Sequence, residues 1–251
     1  AVFKKRHRQF CCVFIDHTNG RVLDVLESRE KSAVVAWLAA NKQGLLANLR
    51  EVTVDMWDAY VEATREVFGD SVLVTIDRFH VMKNFQERLN EARREIQRLL
   101  PKEQAAELKG SRWLWLTNPE NLDEQQQEQL EKLKKKFPAL ARLAEHREGL
   151  RKIFEDGRFR QPKSAMRWLR DWCAKGRAMG LKALEKFNAT LENWMEKIAN
   201  YFYSRSTNGR TEGFNRGLRA ILWRACGMTN FTHFRLRVLH AFGQPSLHKN
   251  Q

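Results

Sequence analysis

The first third of the chain alternates short apolar runs with turn signals. Residues 9–16 form an apolar and aromatic run, and residues 21–27 alternate apolar with polar positions. Between them stand Asn19 and Gly20, a dipeptide that favours tight hairpin turns. The pattern predicts an antiparallel hairpin with one solvated face.

Two further apolar runs follow the hairpin and alternate with amphipathic patterns. The predicted order is helix, strand, helix, strand, at residues 31–49, 52–54, 58–68 and 72–76. Each of the two strands ends at an aspartate, Asp55 and Asp77. Strands that alternate with helices predict an α/β fold, with a mixed sheet flanked by helices.

Residues 81–203 show no strand pattern and are rich in Glu, Gln, Lys, Leu and Ala. Prolines divide this stretch, at Pro101, Pro119, Pro138 and Pro162. The pattern predicts an all-helical block. We interpret its tryptophans as core residues, with base stacking as the alternative; they are Trp113, Trp115, Trp168, Trp172 and Trp194.

Two helices are predicted to close the chain, at residues 211–223 and 231–242. The sequence thus predicts an α/β core that is interrupted by a helical insertion. The predicted boundaries are 1–84 for the first part of the core, 85–203 for the insertion, 204–243 for the return to the core and 244–251 for a tail.

The formal net charge of the 251 residues is +15. A surplus of this size indicates a polyanionic partner, most often nucleic acid, although a solvated basic surface or binding to a membrane surface would also fit. No run approaches the roughly 20 apolar residues of a membrane span. No signal peptide is apparent, so we expect no membrane partner and a cytoplasmic location.

Four cysteines are present, Cys11, Cys12, Cys173 and Cys226, without a paired C-x-x-C array. We therefore expect no zinc site and interpret all four as reduced, buried thiols. Adjacent Cys11 and Cys12 should point to opposite faces of a strand.

Two carboxylates stand out as candidate metal ligands. Asp55 follows a buried strand, and strand ends of this kind are where sites form in open α/β sheets, although a first-turn helix acid is the alternative. Glu212 is the single acid in residues 201–251, which hold seven arginines. Hard divalent cations prefer such carboxylate oxygens.

Asp77 and His80 are three residues apart, so on a helical turn their side chains share one face. They could form a hydrogen-bonded pair or contact a metal, but we favour a structural role or a role in supporting the ligands.

Several segments together resemble the DDE transposases of the ISL3 group of bacterial insertion sequences. They are VTVDMWDAY at 52–60, VTIDRFHVMK at 74–83, TNGRTEGFN at 207–215, GRVLDVL at 20–26 and NFTHFRLR at 230–237. They occur in the family's order across nearly the whole chain.

This resemblance implies an RNase H-like core with a helical insertion before the last catalytic helix. It implies metal-dependent DNA cleavage and strand transfer at insertion-sequence ends, with two Mg²⁺ (or Mn²⁺) ions. Asp55 would be the second catalytic acid and Glu212 the last. Asp77, His80 and Asn215 would belong to flanking motifs that support the ligands.

The first acid of the triad has no evident position in the chain. An RNase H-like sheet opens with three antiparallel strands, whereas the pattern shows only two before the first helix. Asp16 and Asp24 do not lie where the first acid belongs. We therefore expect the first strand and its aspartate just upstream of Ala1, together with the family's zinc-binding and helix-turn-helix region, and predict that this part alone is inactive.

The implied partners are double-stranded DNA, both transposon ends and target, and a second copy of the chain on the bacterial nucleoid. Four arginines would contact DNA phosphates, with a solvated helix face as the alternative for each: Arg210, Arg216, Arg219 and Arg224. Two other functions remain open. The protein could be a non-catalytic or domesticated DNA-binding relative, or a different RNase H-like nuclease acting on RNA–DNA hybrids.

Overall fold

A computed structural model describes residues 2–4, 9–155, 159–206, 209–226 and 228–244, without the side chains of 2–4, 9, 209, 210 and 212. The strands are β1 (Val2–Lys4), β2 (Gln9–Phe10), β3 (Cys12–Asp16), β4 (Arg21–Leu26), β5 (Glu51–Val54) and β6 (Leu73–Ile76). The first helices are α1 (Lys31–Asn41), α2 (Asp58–Phe68), α3 (Arg78–Leu99), α4 (Lys102–Glu107), α5 (Arg112–Leu116) and α6 (Glu124–Lys136). The remaining helices are α7 (Pro138–Glu155), α8 (Pro162–Arg177), α9 (Lys182–Asn193), α10 (Met195–Ser204), α11 (Gly209–Arg224) and α12 (Phe231–Phe242).

The fold is mixed α/β, mostly helical, with small sheets. The described strands form three two-stranded sheets, β1–β2, β3–β4 and β5–β6. The chain divides into two compact units, one formed by residues 1–75 with 206–251 and the other by residues 76–205. We call the first the two-ended unit, because it is built from both ends of the chain, and the second the helical unit.

The predicted antiparallel hairpin of the two-ended unit is confirmed, but the prediction of one solvated face is wrong, because apolar residues of other segments pack against both faces. β3 and β4 pair antiparallel from Cys12 opposite Leu26 to Asp16 opposite Arg21. Gly20 adopts a φ of 64°, and its N–H donates to the Asp16 carbonyl at 2.8 Å. A side chain would be strained at this φ, so glycine at the turn fixes the register of the pair.

Helices cover both faces of the β3–β4 pair. On one face, Cys11, Val22 and Val25 pack with Leu218 of α11 and with Phe234 and Val238 of α12, in the cluster Cys11, Val22, Val25, Leu218, Phe234 and Val238. On the other face, Cys12 packs with residues of α1 and α2, in the cluster Cys12, Val34, Leu38, Leu46 and Ala63. The opposite orientations of Cys11 and Cys12 are thereby confirmed, because the two thiols pack in different clusters, although Cys11 lies just before β3 and not within it.

Three details of the two-ended unit differ from the sequence prediction. The run at 9–16 is not one strand, because it is interrupted at Cys11. The expectation of only two strands before the first helix is wrong, since β1 adds a strand whose Val2 lies opposite Phe10 of β2. The helix predicted to reach residue 49 ends at Asn41, whose side-chain amide donates to the Trp37 carbonyl at 2.8 Å.

The second predicted helix of this unit is confirmed at both ends. α2 spans Asp58–Phe68 and is closed by Gly69, which has a φ of 60° and donates its N–H to the Arg65 carbonyl at 2.8 Å. The last helix, α12, also spans the predicted residues.

In the helical unit, the described residues between 81 and 203 contain no strand, as predicted. Pro138 and Pro162 are the first residues of α7 and α8, where a missing N–H leaves no helical hydrogen bond unmade. The interpretation of every tryptophan as core is wrong for Trp113, which is 63% exposed and lies against Arg112.

The core of the helical unit is aromatic. The His146 and Trp172 rings stack with centroids 3.8 Å apart, and Phe85 meets Trp172 edge-on at 5.3 Å. Phe187 lies 4.6 Å from Phe85. This cluster joins α3, α7, α8 and α9 through rings that bury large apolar areas.

Three of the four thiols are buried, and burial raises the pKa of Cys12 and of Cys173 to about 12. The prediction of a buried thiol is wrong for Cys226, which is exposed in the short connection after α11. No helix within the described residues is both long and apolar enough to cross a membrane.

Candidate functional site

A cavity of about 850 Å³ lies within the two-ended unit. All residues of β3 and β5 line it, although these strands belong to different sheets. The polar residues of its wall include Asp16, His17, Glu51, Asp55, Thr211 and Asn215. The cavity therefore brings strand ends from the first part of the chain together with α11 from the last part.

Asp55 follows β5 directly and lines this cavity. The residue is half-buried, and its carbonyl accepts a hydrogen bond from the Trp57 N–H at 2.7 Å. Burial is the main cause that raises the pKa of the Tyr60 hydroxyl, and the neighbouring Cys12 and the negative charge of Asp55 add to it. An acidic side chain at this strand end thus shares a wall with a phenol that stays protonated.

α11 presents Thr211 and Asn215 to the cavity, one helical turn apart. Thr211 Oγ1 lies 3.2 Å from His17 Nε2. The Asn215 side-chain oxygen Oδ1 is buried and has no hydrogen-bond partner among the described residues. A buried acceptor left without a donor is costly and is typical of a place where water or an ion completes the site.

Glu51 links three segments around the cavity. Its carboxylate accepts hydrogen bonds from Thr75 Oγ1 at 2.5 Å and from Ser206 Oγ at 2.6 Å. β5, β6 and the residue that precedes α11 by a few positions are therefore tied to one carboxylate. Glu51 was not among the predicted site residues, and its one signal in the sequence was an acid directly before the predicted strand at 52–54.

Asp16 and Asp24 are occupied with structural contacts. Asp16 accepts from the Asn19 N–H at 2.9 Å and from Arg21 Nε at 3.3 Å. Burial alone would raise the pKa of Asp16, but these hydrogen bonds outweigh it and hold the pKa below its ordinary value. Asp24 pairs with Arg235 Nε at 2.6 Å and accepts from Trp37 Nε1 at 2.8 Å.

Asp77 and His80 lie in the helical unit, at the start of α3. Asp77 is buried and caps the helix, with Oδ1 accepting from the Phe79 N–H at 3.3 Å. The His80 ring meets the Phe79 ring edge-on at 5.8 Å. The capping bond gives Asp77 a structural role, because it satisfies a backbone donor at the helix start.

Glu212 lies in the first turn of α11, directly after Thr211 and three residues before Asn215. Its side chain and that of Arg210 lie outside the description. The other candidate arginines, Arg216, Arg219 and Arg224, have exposed side chains on the same helix. No three His, Cys, Asp or Glu side chains within the described set lie close enough to hold a metal ion.

These features define a class of protein: an α/β unit with a carboxylate at a strand end, facing a polar cavity that a basic helix completes. A protein-family model matches residues 1–238 of the chain. The family is described as Transposase and is the ISL3 group of DDE transposases. The chain belongs to this transposase family.

Two relatives extend this assignment. The transposase for insertion sequence element IS1001 of Bordetella parapertussis is 25% identical over 241 residues, which cover 95% of this chain and 58% of that protein. The transposase for insertion sequence element IS1557 of Mycobacterium tuberculosis is 28% identical over 173 residues, 60% of this chain and 39% of that protein. The chain thus spans between two-fifths and three-fifths of the length of these relatives. No solved structure matches it.

Proposed function

We propose that the protein is the catalytic part of a transposase that cleaves insertion-sequence ends and joins them to target DNA by metal-dependent DDE chemistry. One observation carries the proposal. Asp55 lines the same cavity as Thr211 and Asn215, the two α11 residues that flank Glu212 in sequence. The two acids that the family resemblance marks as catalytic therefore come from segments that meet at one site.

The side-chain oxygens around the cavity are suitable ligands for a hard divalent cation. The Asp55 carboxylate and Oδ1 of Asn215, which no described residue satisfies, are oxygen ligands of the type that Mg²⁺ or Mn²⁺ accepts. We assign Asp55 and Glu212 as the acids that hold the metal, with Asn215 supporting them. Two bound ions would supply activation of a water or a 3′-hydroxyl and stabilisation of the leaving oxygen.

The basic helix would position the DNA. Arg216, Arg219 and Arg224 are exposed on α11, where they can reach phosphates, and Arg210 begins the same helix. We propose double-stranded DNA ends and target as substrates, bound by two copies of the protein on the bacterial nucleoid. Asp77 and His80 would act only through the structure that they stabilise at the start of α3.

We further propose that the two-ended unit is an RNase H-like core and that residues 85–203 are an insertion between its parts at 1–84 and 204–243. The cavity supports this, because β3 and β5 line it and each pairs with only one neighbour among the described strands, so an additional strand would join both pairs into one mixed sheet. β1 runs antiparallel to β2, with Val2 opposite Phe10. A chain segment that precedes Val2 in the same direction would therefore lie alongside β3, which follows Phe10. That strand would carry the first aspartate of the triad.

The test uses the full-length protein, a plasmid with both element ends, and Mg²⁺. Wild type should nick or excise at the ends, whereas Glu212→Gln and Asp55→Asn should lose at least about a thousand-fold in rate, the scale seen when an essential catalytic group is removed. Asp58→Asn is the matched control, because Asp58 is an exposed first-turn acid of α2 that does not line the cavity.

Equal DNA binding by all four proteins is required for this comparison. If they bind but none cuts, the catalytic proposal fails and a non-catalytic DNA-binding relative is the better account. Amide exchange on the same full-length protein tests the additional strand. The N–H groups of β3 and β5 should be protected, and rapid exchange along both edges would refute the strand.

A further inference from the structure

An arginine of the two-ended unit lies against two aromatic rings. Arg29 Cζ lies 4.3 Å from the centroid of the Phe10 ring and 4.2 Å from that of the Trp57 ring. Both rings remain more than a third exposed, at 37% for Phe10 and 39% for Trp57. We call this arrangement the Arg29 sandwich.

A ring that stacks on a guanidinium covers its face and leaves its edge available. The N–H donors of an arginine lie in the plane of the group, at right angles to a stacking contact. Within the part of the chain that the structure describes, Arg29 makes no ion pair or hydrogen bond, and it is half-buried. A fixed guanidinium with uncommitted donors is suited to an external oxyanion, which it can bind in a two-pronged manner.

The sandwich lies beside the candidate catalytic aspartate. Trp57 is two residues from Asp55, and its N–H donates to the Asp55 carbonyl at 2.7 Å. The Tyr60 hydroxyl, which lines the cavity, feels the charges of both Arg29 and Asp55, since Asp55 helps to raise its pKa and Arg29 opposes that rise. The positive charge of Arg29 therefore reaches the cavity wall.

We infer that Arg29 is a DNA-backbone clamp, which binds a phosphodiester next to Asp55 while Phe10 and Trp57 hold its guanidinium in place. This inference rests on the proposed function and adds a positioning residue outside α11. The rings reduce the freedom that Arg29 would otherwise lose on binding, so the contact is pre-organised.

The first experiment measures binding of a fluorescein-labelled 30-base-pair duplex by fluorescence anisotropy over a series of salt concentrations, with Ca²⁺ in place of Mg²⁺. Arg29→Ala should weaken binding about five- to ten-fold and make the slope of log K against log salt shallower by about 0.9, the value for one lost phosphate contact. Arg29→Lys should keep the slope, because the charge remains. It should lose part of the affinity, because lysine lacks the planar set of N–H donors that binds an oxyanion in a two-pronged manner.

Arg65→Ala is the matched control, since Arg65 is an exposed arginine of α2 in the same unit. It should change affinity less than two-fold and leave the slope unaltered. Trp57→Leu should weaken binding without altering net charge, and Trp57→Phe should restore it, which separates the clamp from general attraction. Thermal melting of each variant measures any purely structural effect.

The inference fails if Arg29→Ala lowers the melting temperature but binds DNA with the same affinity and slope as Arg65→Ala. In that case the sandwich has only a structural role, in which Arg29 links Phe10 of β2 to Trp57. If wild type itself does not bind duplex DNA, the proposed function and the clamp both fail, so the two failures can be told apart.

Discussion

Polar groups gather around a cavity in the two-ended unit, whereas the helical unit buries two of its polar side chains within an aromatic core. In the first, Glu51 accepts two hydroxyl donors and Thr211 contacts His17 at the cavity wall. In the second, His146 Nε2 and Asn188 Oδ1 are buried without hydrogen-bond partners among the described residues. The two-ended unit can therefore offer oxygen ligands to a substrate, whereas the helical unit depends on close packing for its stability.

The largest expected effect is on the packed core of the helical unit. Trp172→Ala should reduce the free energy of unfolding of that unit by about 3–5 kcal/mol, because a buried indole is replaced by a cavity. Hydrogen exchange with mass spectrometry should show faster exchange in residues 76–205 and little change in β3 and α12. Trp113→Ala, at an exposed position, is the control and should cost less than about 0.5 kcal/mol. Equal losses in the two variants would contradict the assignment of the core.

The second effect depends on pH. Burial, with a smaller contribution from Lys175, lowers the pKa of His146 to about 4, below its ordinary 6.5. The folded unit therefore favours neutral His146, so the full stability is present above pH 6.5 and is lost progressively as the pH falls to 4. The linked change is at most about 3 kcal/mol, at 1.36 kcal/mol per pKa unit.

Urea unfolding of the helical unit at several pH values measures this slope. His146→Gln should remove most of the dependence between pH 6.5 and 4, whatever its stability at neutral pH. A variant with the same slope as wild type would show that other groups cause it.

The smallest effect concerns the two-ended unit. Arg235→Met should reduce its free energy of unfolding by about 1–2 kcal/mol, because Asp24 is 8% exposed and would lose a charged donor. Trp37 and the Val25 N–H still donate to Asp24, which limits the loss. Arg237→Met, at an exposed position of the same helix, should have almost no effect in the same unfolding measurement.

The pH dependence of this pair should differ from that of His146. Burial alone would raise the pKa of Asp24, but the Arg235 hydrogen bond and the other donors outweigh it and lower the pKa below 3.8. The contribution is thus present above pH 3.8 and is lost as the pH falls further through the folded-state pKa. A loss that is already complete at pH 5 would refute this account of the pair.

Local patterns predicted those elements whose limits are set by local chemistry. α2 begins at Asp58 and ends before Gly69 because the glycine accepts a positive φ there, and the pattern gave both ends. The turn at Gly20 followed from the same property. By contrast, α1 ends at Asn41, whose side-chain amide donates to the backbone carbonyl of Trp37, and the apolar spacing up to residue 49 does not reveal this end.

The candidate site was partly visible because one of its acids has a local signature. Asp55 directly follows an apolar run, and in an α/β sequence the end of such a run indicates the end of a strand. The partners in the cavity have no such signature. Thr211 meets His17 across 194 residues, and Ser206 meets Glu51 across 155. Contacts at this separation depend on how the elements pack, which periodicity does not encode.

The discontinuous unit has a consequence for biosynthesis. Asp24 and Arg235 are 211 residues apart, so at 5–20 residues per second the ribosome needs roughly 10–40 s to make the second after the first. Residues 76–205 emerge complete in that interval and can fold while the β3–β4 pair still lacks the helices that cover one of its faces. During this time the nascent chain exposes the apolar surface of Val22 and Val25, which makes it a candidate for chaperone binding until α12 leaves the tunnel.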